Sequence, residues 1–509
     1  MPTALSWTET TRAIRDVGHL AWFRSAATKR RTASRWGVGI IAAITTLAAT
    51  LPAYTEVFRT DEHIRDVLLV LPSAIGAFLL INVMSGIASG GGRELLSREQ
   101  GVTFPVSPTT DHLGALLLTP LNVAWLVQSW TLLGAMSFGN GPDGLWGAQL
   151  VVVLWIVAAT CAAQVVAWAG EAVRRGPAGI LIMRLVGAAL GVAAGALYLL
   201  GKVGATLDAL PSTQVVLGAL SAHSGNWDRF FGTVALLLLS VPPLVALGAV
   251  AAHLAARRHP RDELRLESEA HSPRPMASTS FMSLVRTDRA SVWRVVPMRR
   301  GIVFLAFGPG IVGLAGDLDW PQLTILPGLV ASGGALLFGV NMWCLEGRGA
   351  LWRESLPISP GTVFSARVVV LLEFLLLSSG FTILLSSLRA GLPSSHELAS
   401  IVATWLVVIM QVVSAATRWS LKKPFAVDLR SARATPAPPG VMVGYSARLA
   451  VCTTFTSLIF SGLARIPAWE LSVLVALPFL AWSAGRVVIA RADWMDPFTR
   501  VRVVSTVAG

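Results

Sequence analysis

The chain has 509 residues, 54% of them hydrophobic and 14% charged, with a mean hydropathy of +0.64. Soluble domains carry about a quarter of their residues as charges, so a string of water-facing globular cores is excluded; a bilayer, which accepts outward apolar side chains without cost, is the matching solvent. The net charge of +13 does not point to nucleic acid, because the 41 Lys and Arg are scattered in short segments between apolar runs, where they set membrane orientation and meet anionic lipid headgroups.

The first 35 residues hold seven Lys or Arg and no continuous apolar core, so no cleavable signal is expected and this segment stays in the cytoplasm. A span needs about 20 apolar residues to cross about 30 Å of hydrocarbon. By that ruler the spans fall at 36–53, 67–89, 112–136, 145–170, 178–200 and 231–255, then, after a cytoplasmic linker at 256–300, at 301–316, 323–345, 362–387, 397–419, 446–464 and 469–490, with a cytoplasmic tail at 491–509. The run 301–316 is short and contains Gly308-Pro309-Gly310, and 178–200 contains Arg184. Alternate connections divide the Lys and Arg unequally: 31 of the 41 lie on the side of both termini and six on the other, which predicts cytoplasmic termini. The expected fold is therefore an all-α polytopic membrane protein of about twelve helices in two six-helix bundles, 36–255 and 301–490.

An internal repeat supports the division. RELLSREQGVTFPVSPTTDHLGALLL (93–118) follows the second run, and EGRGALWRESLPISPGTVFSARVVVLL (346–372) follows the eighth. Each has Arg-Glu, then Pro-Val/Ile-Ser-Pro opening a helix. AWFRSAATKRR (21–31) and SVWRVVPMRR (291–300) precede the first span of each half. Ser107 and Ser359 are expected to cap the following helix, with Pro105 and Pro357 upstream, and Pro108 and Pro360 at the first helical position, where a missing N–H costs nothing. Upstream, Arg93, Glu94, Arg98 and Glu99, or Glu346, Arg353 and Glu354, stand among Leu95, Leu96, Leu351 and Trp352. The pattern predicts a small amphipathic helix on the membrane surface, with its apolar side toward lipid or protein and its charges toward water or a partner.

These elbows resemble the membrane subunits of type-2 ABC exporters, across both six-span halves. The first half keeps Arg98-Glu99-Gln100-Gly101-Val102-Thr103, close to the form in that family; the second keeps only Arg353-Glu354-Ser355-Leu356. The resemblance implies an amphipathic interfacial helix at the start of each half, here Trp22 to Arg31 and Trp293 to Arg300. It also implies a coupling helix that docks on a nucleotide-binding subunit, here Arg93 to Val106 and Glu346 to Ile358. Most members have six spans and pair, so a 6+6 chain resembles the fused pair, a permease moving a hydrophobic or amphipathic substrate across a bacterial cell membrane. Two copies of a separate ATPase would then hold ATP and magnesium.

The chain itself is not expected to be an enzyme. It has no GxxxxGK[ST], since Gly201-Lys202-Val203 lacks the earlier glycine and the hydroxyl, and no LSGGQ-like signature, HExxH or Gly-x-Ser-x-Gly. No cofactor or metal site is expected: Cys161, Cys344 and Cys452 lie apart in apolar runs and read as small hydrophobes. The alternatives are a secondary transporter of the major facilitator type or a non-transporting scaffold. The carrier would need intramembrane ionisable groups for coupling, and the chain offers Arg184, Arg367 and Glu373. Glu373 reads as a structural partner or a snorkelling group, or else lines a polar cavity or pairs with Arg184. Glycines 187 to 195 predict close helix packing.

Overall fold

The computed structural model describes residues 7–26, 31–55, 59–88, 106–202, 206, 211–258, 277–315, 318–347, 349–426 and 436–509. Among these every regular element is a helix, and the chain divides into two compact units, Met1–Ser268 and Glu269–Gly509.

The first unit comprises α1 (Trp7–Ala26), α2 (Arg31–Thr50), α3 (Asp61–Ala88), α4 (Pro108–Leu118), α5 (Val123–Asn140), α6 (Leu145–Arg174), α7 (Gly179–Leu199), α8 (Ser212–Ser221) and α9 (Trp227–Ala256). Helix α6 is central and packs on α3, α5, α8 and α9; its Val152, Trp155 and Ile156 meet Leu71, Ile75, Phe78 and Met136 in one buried cluster. Without water, stray polar groups must be satisfied inside the protein: the Gln149 amide donates to Leu133 O (2.9 Å) and Ala49 O (3.0 Å), and the Trp155 indole donates to Ile75 O (3.2 Å). The basic residues after α6 do local work. Arg174 and Arg175 both pair with Glu171, at 2.7 and 2.9 Å, and Arg175 also donates to Ala255 O of α9 at 3.0 Å, closing carbonyls that a helix end leaves open.

The second unit comprises α10 (Ser280–Arg294), α11 (Val296–Ala315), α12 (Trp320–Leu323), α13 (Leu326–Leu337), α14 (Gly349–Glu354), α15 (Pro360–Ser386), α16 (Ser395–Lys422), α17 (Pro439–Leu463), α18 (Trp469–Met495) and α19 (Pro497–Ala508). Its core joins Ala331 of α13, Phe338 just beyond it, and Val370, Phe374, Val408, Val412 and Tyr445 from α15, α16 and α17. Glycines let α11 lie close to its neighbours: a Cβ on Gly301 would stand 2.4 Å from Leu337, and on Gly313 2.8 Å from Ser386.

Nine helical segments among the described residues have the length and apolarity to cross a bilayer, ten if a bent pair is counted as one span. They account for the expected runs at 67–89, 145–170, 178–200, 231–255, 323–345, 362–387, 397–419, 446–464 and 469–490. The run 301–316 belongs to the bent pair, Ser280–Arg294 with Met298–Leu314, whose axes meet at 84°. The run 36–53 is a shorter apolar helix, Val38–Tyr54. The run 112–136 is interrupted: α4 gives way to a 3₁₀ turn at Thr119–Leu121 before α5 begins, because Pro120 has no N–H to continue the ladder. The chain is thus a polytopic all-α protein of the membrane type. Glycine packing fails in one place: Gly187, Gly191 and Gly195 of α7 have open space where a Cβ would stand, and its apolar window holds no buried residue.

Candidate functional site

The two Ser-Pro elbows have the same local architecture. Ser107 Oγ accepts from Thr110 N at 3.1 Å and lies 3.0 Å from the Thr110 hydroxyl; Ser359 Oγ accepts from Thr362 N at 3.2 Å and lies 2.7 Å from the Thr362 hydroxyl. Pro108 and Pro360 open α4 and α15 as the capping argument requires. In both units the preceding amphipathic helix leans on the capped one, α1 on α4 and α10 on α15. Helix α1 buries Ala13 there, and α10 buries Val285, Asp288 and Val292, spaced as one helical face. Arg93, Glu94, Arg98, Glu99 and Pro105 lie outside the described residues.

The first elbow is joined by one small polar contact. The Thr109 hydroxyl of α4 lies 2.9 Å from His253 Nε2 of α9 and 3.3 Å from the Glu9 carboxylate of α1, while His253 Nε2 and Glu9 Oε1 are 3.0 Å apart. Three elements separated by most of the unit's length thus meet at the start of α4.

The second elbow is pinned by ions. Arg367 of α15 is fully buried; its guanidinium forks onto Asp288 of α10 (2.9 and 3.0 Å), donates to Glu346 Oε1 (2.5 Å) and to Met342 O (2.5 Å). Glu346 also pairs with Arg353 of α14, and Arg353 and Arg367 each stand 5.7 Å from the Trp343 ring centroid. Burial pushes the Arg353 guanidinium below its usual pKa, and the neighbouring Glu346 carboxylate opposes that shift. Glu354 turns outward to meet Arg500 of α19 at 3.0 Å.

That network draws one expected charge of the elbow helix into the unit. Arg353 points inward at 9% exposure, whereas Leu351 and Trp352, at 55% and 79%, face out. The physical reason is Glu346: a carboxylate drawn inward by Arg367 takes Arg353 with it, and a six-residue helix cannot bury both of its sides. Pro357 precedes the cap without entering α15.

The remaining expected positions separate. Arg184 is exposed on α7, and Glu373 pairs with Arg289 of α10, the structural partner among its expected roles. No group of His, Cys, Asp and Glu able to hold a metal occurs among the described residues, and Cys161, Cys344 and Cys452 are free thiols.

The tail 491–509 carries contacts that sequence reasoning missed. Helix α19 starts at an Asp-Pro cap, with Asp496 Oδ2 accepting from Thr499 N at 2.9 Å, and buries Val503, Val504 and Val507 against Trp343, Ala350 and Phe364. Trp494 at the end of α18 stacks on Trp343, centroids 3.8 Å apart and planes 5° from parallel, and donates to Pro360 O at 3.0 Å. The available signs were Asp496-Pro497 and the Val503, Val504, Val507 spacing, a helix start followed by an apolar face. No protein-family model, curated protein or solved structure matches the chain.

Proposed function

We propose that the chain is the membrane permease of an ATP-driven exporter of the type-2 ABC class, a fused pair of six-span halves in a bacterial cell membrane. It moves a hydrophobic or amphipathic substrate with energy from a separate ATPase, which holds the ATP and magnesium, while the chain performs no catalysis. The observation that carries this reading is the duplicated elbow: in each unit a Ser-Pro-x-Thr cap opens a helix against which an amphipathic helix is braced. A push delivered at such an elbow is passed to the helix it opens, α4 or α15, because capping and bracing leave the first turn no independent motion.

Copurification with a separate nucleotide-hydrolysing protein tests the reading. The E99Q/E354Q variant is expected to lose ATPase association or to hydrolyse ATP without transport, whereas R500Q, which breaks the Glu354–Arg500 pair and leaves both carboxylates in place, is expected to retain association. Wild-type coupling in E99Q/E354Q, or absence of any nucleotide-hydrolysing protein bound to the wild type, defeats it.

A further inference from the structure

Three arginines of the second unit, Arg418, Arg448 and Arg486, come from three different apolar helices and converge without a counter-ion among the described residues. The register follows from side-chain contacts. Helices α16 and α18 run parallel: Ser400 and Ser472 near their starts are hydroxyl to hydroxyl at 2.8 Å, and Leu421 and Ala490 near their ends share one buried cluster. Helix α17 runs antiparallel to α16, since Gln411 donates to Thr456 at 3.0 Å while Trp419 meets Tyr445 at 5.3 Å. Arg418 is therefore level with Arg448, and Arg486 is displaced by four residues, about 6 Å along the axis, within reach of long side chains. Arg486 accordingly lies within electrostatic range of Arg418, Arg448 and the Cys452 thiol.

None of the three forms an ion pair or a hydrogen bond among the described residues, and the Arg486 Nε is buried with no hydrogen-bond partner. Arg448 is exposed, and Gly444, one turn before it, borders open space. The cluster lies at the elbow end of its unit, where the Leu421 carbonyl accepts from Arg502 of α19 at 3.2 Å.

Arginine within a span is costly and is retained where it is used. The buried arginines at the elbow of this unit, Arg353 and Arg367, are by contrast paired with carboxylates, Glu346 for both and Asp288 for Arg367. Like charges brought together without acid repel, and a phosphate anion reduces the repulsion while its several oxygens satisfy more than one guanidinium fork. Basic recesses between transmembrane helices hold phosphate headgroups in this way. We propose that Arg418, Arg448 and Arg486 form a site for the phosphate head of a net-anionic phospholipid entering from the elbow-side leaflet. The proposal does not depend on the ATPase partnership.

The test uses the full chain purified in a neutral maltoside detergent, with retained ligand counted by native mass spectrometry and stability read from thermal unfolding. Phosphatidylglycerol and phosphatidic acid are expected to bind saturably and to raise the unfolding temperature, while phosphatidylcholine does neither. R486Q and R418Q/R448Q should weaken retention of the anionic lipids by tenfold or more, with unfolding temperatures in lipid-free detergent equal to or above wild type because repulsion is relieved. R465Q, an exposed arginine at the other end of α17, should bind as wild type. Competition by inorganic pyrophosphate assigns the site to the phosphate head alone; failure of pyrophosphate to compete assigns it to the intact lipid. Wild-type retention of anionic lipid by both cluster variants, or equal retention of phosphatidylcholine by the wild type, overturns the proposal.

Discussion

Arg367 shows how a single position divides two otherwise matching halves. Seven residues after the helix-opening proline the second half has Arg367, and the first half has Ala115, buried at 2% exposure. Removing one partner of a buried ion set leaves the others uncompensated, at about 3–5 kcal/mol. R367M is therefore expected to lower the thermal unfolding temperature sharply, and adding D288L to recover part of the loss; equal unfolding temperatures for wild type and R367M would contradict the pinning. The caps are smaller in effect. S107A and S359A should each cost about 1 kcal/mol, seen as faster amide exchange in the first turn of α4 or α15 with the rest of the unit unchanged. The Ser-Pro signature was legible because capping is local, spanning three residues. Asp288 was not, since its partner lies 79 positions away and an acid within a basic linker looks solvated until the fold buries it.

Among elements, α19 is the one whose role the sequence concealed most. A short basic tail reads as solvent-borne, yet three valines and Arg500 fasten it to the second elbow. R500E should loosen α14, measured as increased amide exchange over 349–356, and the exchanged pair E354R/R500E should restore protection, since the contact is reciprocal charge. No change in R500E would mean that the valines alone hold the helix. The broken run at 112–136 was partly legible, because Pro120 stands in its middle and proline interrupts a helix wherever its neighbours do not re-satisfy the freed carbonyl. Pro72, Pro309 and Pro478 also lie mid-run, yet α3, α11 and α18 pass through them. Propensity alone does not separate these cases; packing does.

For the whole molecule, apolar run length made the helical class and nearly every long segment legible, because a bilayer demands about 20 apolar residues per crossing. Two features escaped that ruler: the 84° bend between α10 and α11, and the sparse packing of α7, whose Gly187, Gly191 and Gly195 face open space. Orientation rests on the distribution of basic residues and is checked chemically. A cysteine placed at Gly391 should react with a membrane-impermeant maleimide in intact cells, and one at Gly509 only after permeabilisation; the opposite pattern would invert the topology. Each unit contains its own buried core, so residues 269–509 expressed alone should insert and give a helical circular dichroism spectrum.

The stacked indoles of Trp343 and Trp494 also give the second elbow an optical handle. Two chromophores lying face to face at 3.8 Å share their excited states, and the exciton contribution of the pair to the circular dichroism is lost when either ring rotates away. Any motion that slides α18 past the elbow is therefore written into a spectrum with no added label.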